Sequence, residues 1–345
     1  MNLELTEEQV ALRDTARRFL AEKAPISGHV RALLDDETGT TDAVWRGLAD
    51  LGTTGLLVPV ECGGAGMTMV EAGIVAEELG AALHPGPWLS TAVAAPRTLT
   101  RIGADAAAAS ILTGIADGTT TATVGPLDDA SIPAVDGGVL RGEIALPDAA
   151  AADVLLVFAD GGGGTELFAE KSDSPGVTVT PERGIDQTRK HFRVAFDDVL
   201  IATAADALGA ARAVMELAIE YAKVRAQFGQ AIGSFQAIQH LCVDMYETVE
   251  LARSGVIHAL WAADNADAEE RHLSALRAKA FAGRLATVGD TAIQVFGGIG
   301  FTWEHDAHLY LKRLLSWSAL LGGPDRYLTE LGRTLTKPKK KGCSA

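Results

Sequence analysis

The sequence predicts an α+β protein in three parts: an N-terminal helical domain, a small central antiparallel β barrel and a C-terminal four-helix bundle. Three observations carry this. Apolar residues recur at helical spacing through the first third of the chain, and between Thr119 and Leu200 that spacing gives way to short β-prone runs broken by glycine, proline and aspartate. From Ala202 onward long helical stripes return and persist. Strands and helices do not alternate, so a parallel Rossmann-type sheet is not expected. The boundaries are 1–118 for the first domain, 119–200 for the β domain, 201–335 for the bundle and 336–345 for a disordered basic tail.

Each element has its own signal. Thr6 followed by Gln9 forms a capping box, and Val10, Leu12, Ala16, Phe19 and Leu20 then line one helical face. Trp45, Leu48, Leu51, Leu56, Leu57 and Val58 make a second apolar set, ended by VPVECGGAG. A helix over VEAGIVAEELGAAL stops before Pro85 and Pro87, and a short one covers Ala106–Ile115. TTATVGPL, GGVLRGEIALP, ADVLLVFAD, TELFAEKS, GVTVTPE and HFRVAFDDV read as strands, with Gly161–Gly164 at a hairpin tip. Leu208, Ala211, Met215, Ala218, Ile219 and Ala222 form one bundle stripe; Ile238, Leu241, Met245, Val249 and Ala252 form another. A third helix spans Glu269–Phe296 and a fourth runs from His305 to about Leu321.

Composition narrows the function classes. With 345 residues, 48% of them hydrophobic, the chain buries a sizeable core without disulfides or metal. Its net charge of −15 repels nucleic acid and anionic membrane surfaces, so any polyanionic ligand needs a local basic pocket. Cys62, Cys242 and Cys343 are scattered and odd in number, which suits a reducing cytoplasm. The N-terminus lacks the order of a signal peptide, and no apolar run reaches the roughly 18 residues of a membrane span. The tail KPKKKGCSA reads as a disordered tip, with a lipid or nucleic-acid contact as the other reading.

Two glycine-bounded stretches carry the chemistry. In YAKVRAQFGQAIGSFQ, Tyr221, Arg225 and Phe228 fall on one side of a helix end. Arg225 can fork onto paired phosphate oxygens and Phe228 offers a face to an aromatic ring; alternatively Arg225 caps carboxylates at a domain junction and Phe228 is core. In QVFGGIG, Gly297 and Gly298 permit close backbone approach to a ligand beside Gln294, although a helix ended by glycine is common. Glu304, His305, Asp306 and His308 have the donor set of a metal site, but Trp303 and the following LYLKRLL favour a helix start with a domain contact, ahead of an alternative base and then a metal. His240 and Cys242 lie near an apolar stripe and read as packed.

YAKVRAQFGQAIGSFQAIQHLCVDM together with QVFGGIGFTWEHDAHLYLKR resembles the acyl-CoA dehydrogenase family, and VPVECGGAG resembles the same family; the likeness spans nearly the whole chain in the right order. It implies a helical, β, helical fold that uses FAD to desaturate acyl-CoA thioesters between the α and β carbons. By motif match, Arg225, Phe228, Gln294, Gly297 and Gly298 become groups that reach across a dimer interface onto the partner's FAD. Electron-transferring flavoprotein is the implied electron acceptor.

The resemblance also exposes vacancies. The family's base position, counted from Gly297, is occupied by Leu321, and the alternative position falls near Val199, where the carboxylates are Asp197 and Asp198. With Glu304, these two aspartates are the reserve candidates for a base. Proton abstraction needs a carboxylate within about 3 Å and contributes roughly two to four orders of magnitude, so Leu321 is a severe departure. The β-domain stretches ATVGPLDDAS and GEIALPDAAAAD lack the family's flavin-ring residues. This pattern resembles the noncatalytic subunit of actinobacterial heteromeric, sterol side-chain type enzymes, paired with a catalytic acyl-CoA dehydrogenase subunit in a heterotetramer. A self-sufficient homomeric enzyme with a relocated base and a non-enzymatic protein of the same fold are the alternatives.

Overall fold

The computed structural model describes residues 4–103, 105–126, 132–136, 139–142, 144–181, 185–188, 197–320 and 323–336. Thr6 and Gln9 close the expected capping box at the start of α1 (Glu7–Lys23), which buries Ala16 and Leu20. Thr41 caps α2 (Asp42–Asp50), whose Val44, Trp45 and Leu48 face the same core. A second capping box, Thr68 with Glu71, starts α3 (Met69–Ala81). After it, a π-helical segment, Leu89–Ala94, runs into α4 (Ala95–Ile102), followed by α5 (Ala106–Ala116). The Leu89–Ile102 stretch escapes sequence reading because Pro87 and Pro96 look like breakers; Pro96 follows directly on the π-helical turn, at the start of α4.

The central sheet corrects the barrel expectation. Its strands are β1 (Ala122–Gly125), β2 (Ala134–Asp136), β3 (Val139–Arg141), β4 (Val154–Asp160) and β5 (Thr165–Lys171). β1 runs parallel to β4, pairing Ala122 with Val154 through Gly125 with Val157, and β2 meets the same edge of β4 at Ala134 and Asp160. β5 lies antiparallel along the other edge, turned by Gly161–Gly164 as expected. Among the described residues, β3 and β5 do not join, so the sheet is mixed and open. The cause is two-sided burial. Leu156 packs with Leu99, Leu112 and Ile115 of α4 and α5, while Leu155 and Val157 face Leu140, Ile144 and Leu146. Helices cover the face that a barrel would have closed with strand. Val177–Thr180 belong to no strand, residues 191–196 of HFRVAFDDV lie outside the described residues, and Asp197 already belongs to helix.

The C-terminal helices are α6 (Asp197–Val224), α7 (Gln236–Asn265), α8 (Ala268–Ala282), α9 (Leu285–Phe296), α10 (Ala307–Ala319) and α11 (Pro324–Leu335), with a small hairpin, β6 (Ala226–Gln227) and β7 (Gln230–Ala231), after α6. The continuous helix expected over Glu269–Phe296 is broken at Gly283. A Cβ there would lie 2.5 Å from the Pro324 ring and 2.9 Å from the Lys279 carbonyl, so α11, an addition to the expected bundle, seats its first residue at the break. α3 crosses α6 backbone to backbone: a Cβ on Gly80 would fall 1.9 Å from the Asp206 carbonyl, and one on Gly209 1.8 Å from that of Glu77. That approach merges α1, α2 and α3 with α6–α10 in one apolar cluster. At its margin Glu78 accepts from both Arg17 of α1 and Arg212 of α6.

Two buried cations sit inside the C-terminal layer. Arg313 of α10, 1% exposed, donates to the Thr188 hydroxyl at 2.8 Å, to the carbonyls of Thr188, Leu83 and His84 at 2.9, 3.3 and 3.1 Å, and to Asp206 at 3.3 Å. Asp186, itself buried, stands 3.5 Å from the guanidinium and accepts from the Thr188 amide and hydroxyl. Lys279 of α8 donates to the Trp317 carbonyl at the end of α10 and lies 3.8 Å from the centre of the Trp317 ring. Among the described residues no carboxylate pairs with it, and burial lowers its pKa to about 7.

Two outcomes follow for stability. Arg313→Leu takes the guanidinium away from the buried carboxylates of Asp186 and Asp206, so urea denaturation should show a loss of about 3–5 kcal/mol; a loss below about 1 kcal/mol would mean that this cluster does not hold the layers together. Lys279 binds its proton less tightly in the fold than in the unfolded chain. Its unfavourable contribution is therefore complete below about pH 7 and is relieved as pH rises from about 7 toward 10.5. Wild-type stability relative to Lys279→Met should rise over that window by up to about 1.4 kcal/mol per pH unit, and a flat difference would contradict it.

Candidate functional site

α6 ends in a tight hairpin. The Arg225 amide keeps its helical bond to the Tyr221 carbonyl at 2.9 Å, and the Arg225 carbonyl accepts from the Ile232 amide at 2.7 Å, closing β6 onto β7. The turn itself is Phe228–Gly229, with φ of +53° and +81°. Both central residues lie in the left-handed region, the geometry that two-residue hairpins favour with asparagine and glycine. A phenylalanine there is strained, and its ring is 92% exposed. Its one ring neighbour is Phe235, edge-on at 6.1 Å. Arg225 is exposed as well, and among the described residues its guanidinium meets no carboxylate of the chain. Within this chain Phe228 is therefore not core, and among the described residues Arg225 caps no carboxylate.

α9 ends in the second motif. Gln294 is exposed on its last turn, and Gly297 takes φ +65° and ψ −142°, which only glycine adopts with ease. A Cβ on Gly297 or Gly298 would meet no atom of this chain within 4 Å. Nothing inside the molecule requires the second glycine, so the open cradle faces outward. The two motifs are brought together by aromatic contact: Tyr221 of α6 lies against Phe296 of α9, ring centres 5.1 Å apart. Phe296 in turn lies 4.3 Å from His305, beyond a loop that exposes Phe301 and Trp303. Sequence reading missed this stack; the signal was an aromatic or histidine beside each glycine turn.

The remaining candidates separate. Asp306 is engaged by Arg31 at 2.8 Å, and the His305 Nδ1 accepts from the Ala307 amide at 3.0 Å. The polar run Glu304–His308 is thus a helix start, but its cap is His305 and not either carboxylate. Glu304 is exposed beside Trp303. Among the described residues no three His, Cys, Asp or Glu side chains converge as metal ligands. His240, expected to be packed, is exposed, while Cys242 is half-buried with its thiol pKa raised by burial. Asp197 and Asp198 open α6, but their side chains lie outside the described residues, as do Leu321 and the stretch 127–131 of ATVGPLDDAS.

Residues 6–119 match the acyl-CoA dehydrogenase N-terminal domain and residues 192–332 the acyl-CoA dehydrogenase C-terminal domain. Acyl-CoA dehydrogenase IpdE2 of Mycobacterium tuberculosis is 34% identical over 334 residues, covering 94% of this chain and 96% of that one. The chain belongs to the acyl-CoA dehydrogenase family. Acyl-CoA dehydrogenase FadE34 of the same organism is also 34% identical, but the match covers 94% of this chain and 47% of FadE34. Among solved structures, the G363A variant of the Tcur3481-Tcur3483 steroid ACAD superposes with a TM-score of 0.85 at 28% identity, covering 95% of this chain and 98% of that one. In this acyl-CoA dehydrogenase-family chain, the exposed ends of α6 and α9 carry the two glycine-bounded stretches singled out from the sequence.

Phe228 supplies a direct check on the strain. Asparagine tolerates the left-handed turn, and the exposed ring contributes little burial. Phe228→Asn should accordingly raise the stability of the chain alone by about 1 kcal/mol in urea denaturation. A destabilised variant would show that the ring supports the fold.

Proposed function

We propose that the chain is a subunit of an FAD-dependent acyl-CoA dehydrogenase that lends FAD-binding groups to a second, catalytic subunit of the same family and supplies no base of its own. The observation that carries this reading is the outward orientation of the motif groups, gathered at one end of the bundle: a guanidinium that meets no carboxylate among the described residues, a strained and exposed phenylalanine, and a two-glycine cradle with no described atom against it. These residues fit the flavin's ADP portion. Arg225 would fork onto the pyrophosphate, Phe228 would lie against the adenine side, and Gln294 with the backbone of Gly297 and Gly298 would line the dinucleotide. FAD, when bound, supplies the acceptor for the hydride leaving the β carbon.

A partner is implied because these groups point away from the chain that carries them. The neighbouring surface of α6 and α7 also leaves Val224, Val243, Tyr246 and Leu251 exposed, an apolar face that suits burial against another helical layer. Leu321 at the base position has no proton-accepting atom, so the carboxylate belongs to the partner. The 47% coverage of FadE34 leaves room in that single chain for a second unit of similar length. The steroid enzyme above makes a sterol side-chain CoA thioester the proposed substrate class. Among the described residues no helix is long and apolar enough to cross a membrane, and the scattered cysteines favour the cytoplasm, where electron-transferring flavoprotein would accept the electrons.

Co-expression with a homologous chain that carries the glutamate should give a yellow heteromeric complex, while this chain alone should be colourless. A yellow and active product from this chain alone would establish a homomeric enzyme instead. In the complex, Arg225→Ala should weaken FAD affinity by tens to hundreds fold, a few kcal/mol, without changing assembly; wild-type affinity would remove Arg225 from the site. Leu321→Glu should leave turnover unchanged, whereas removing the partner's glutamate should abolish it with FAD retained. A thousandfold fall in turnover from Asp197→Asn, Asp198→Asn or Glu304→Gln would place the base in this chain.

A further inference from the structure

The loop that carries the cradle is closed at its base by one ring pair. Phe296 precedes Gly297 and His305 ends the turn after Trp303 and Glu304; their rings lie 4.3 Å apart, so residues 297–304 form a loop between the two sides of a clasp. Phe296 is buried and anchored on Tyr221 of α6. His305 is anchored by its Nδ1, which accepts the Ala307 amide at 3.0 Å and so caps the first turn of α10. An imidazole accepts at Nδ1 only when that nitrogen carries no proton.

We propose that His305 is a positioning residue that holds the Gly297–Gly298 cradle in its binding geometry while its imidazole is neutral and releases the loop when it is protonated. Protonation turns the Nδ1 acceptor into a donor aimed at another donor. It also places a cation at the positive end of α10, beside Arg31, which contacts the His305 carbonyl at 3.3 Å. Burial, and then the Arg31 cation, hold the His305 pKa below its ordinary value, while Asp306, on the other side, pulls it up.

The other charged or titratable groups nearby are Glu304 on the same turn, His308 and Lys312 on α10, and Tyr221 of α6 behind Phe296. His308 is the competing sensor. It is buried, its Nε2 has no hydrogen-bond partner, and its pKa is lowered by burial, Lys312 and Arg31; yet it packs against Trp303 and not against Phe296. For His305 the sign is fixed by the lowered pKa in the fold. The clasp is at full strength above the ordinary value of 6.5 and weakens as pH falls below it through the folded value.

The functional consequence rests on the proposed role of the cradle toward flavin, so the test has separate arms. In the co-expressed complex, amide exchange corrected for intrinsic rates should show a loss of protection of the Ala307 amide and the 297–304 loop between about pH 7.5 and about pH 5. His305→Asn keeps an oxygen acceptor for the Ala307 amide but does not titrate. It should stay folded and keep the Ala307 protection without its pH dependence, but lose the ring contact with Phe296 and with it part of the loop protection, whereas His305→Phe keeps the ring pair and should lose the Ala307 protection at both pH values. His308→Gln should behave as wild type. PH-independent protection in the wild type, or its abolition by His308→Gln alone, would overturn the clasp. Release of bound FAD, followed by its fluorescence, should track the exchange in the wild type and become flat in His305→Asn. Exchange that responds to pH while FAD retention does not would leave the clasp standing and instead remove the cradle from the flavin site.

Discussion

The fold depends on one buried guanidinium. Arg313 reaches from α10 to the carbonyls of Leu83 and His84 after α3, to Thr188 in the segment before α6, and to Asp206 inside α6, with Asp186 alongside. Helix–helix apolar contact alone does not fix how the β sheet enters the bundle, because hydrophobic burial is non-directional. A planar fork with donors fixed in direction does. The left-handed backbone at Leu83, φ +53°, is part of the same arrangement, since it ends α3 in the turn whose carbonyls accept from Arg313.

With that junction fixed, α6 is held along α3 by backbone contact at Gly80 and Gly209, and it carries Tyr221 to Phe296. The site is built on the far end of this helix, away from the buried charges. Its groups are exposed, strained or without an internal reason, whereas the polar groups around Arg313 hydrogen-bond to one another. That contrast separates a residue serving this chain from one serving another molecule.

The β region teaches the opposite lesson. Short apolar runs bounded by glycine and proline gave the strand segments of β1, β4 and β5, and Gly161–Gly164 gave a turn, but their order in the sheet was not legible. Parallel pairing of β1 with β4 depends on α4 and α5 covering one face of β4, and α4 was hidden behind Pro87 and Pro96. Likewise, α11 and the break at Gly283 could not be seen, because the reason for the break is Pro324, distant in sequence.

By itself the sequence determined the local facts: the capping box at Thr6, the long helical stripes and the glycine turns after Phe228 and Phe296. These are written in spacing and residue type, which act over a few residues. Tertiary structure alone decided whether Arg225 and Phe228 were core or surface, which sheet edges met, and that His305 rather than a carboxylate caps α10. Burial, strand pairing and ring contact join residues tens to hundreds of positions apart, and no local pattern records which distant group will supply the partner.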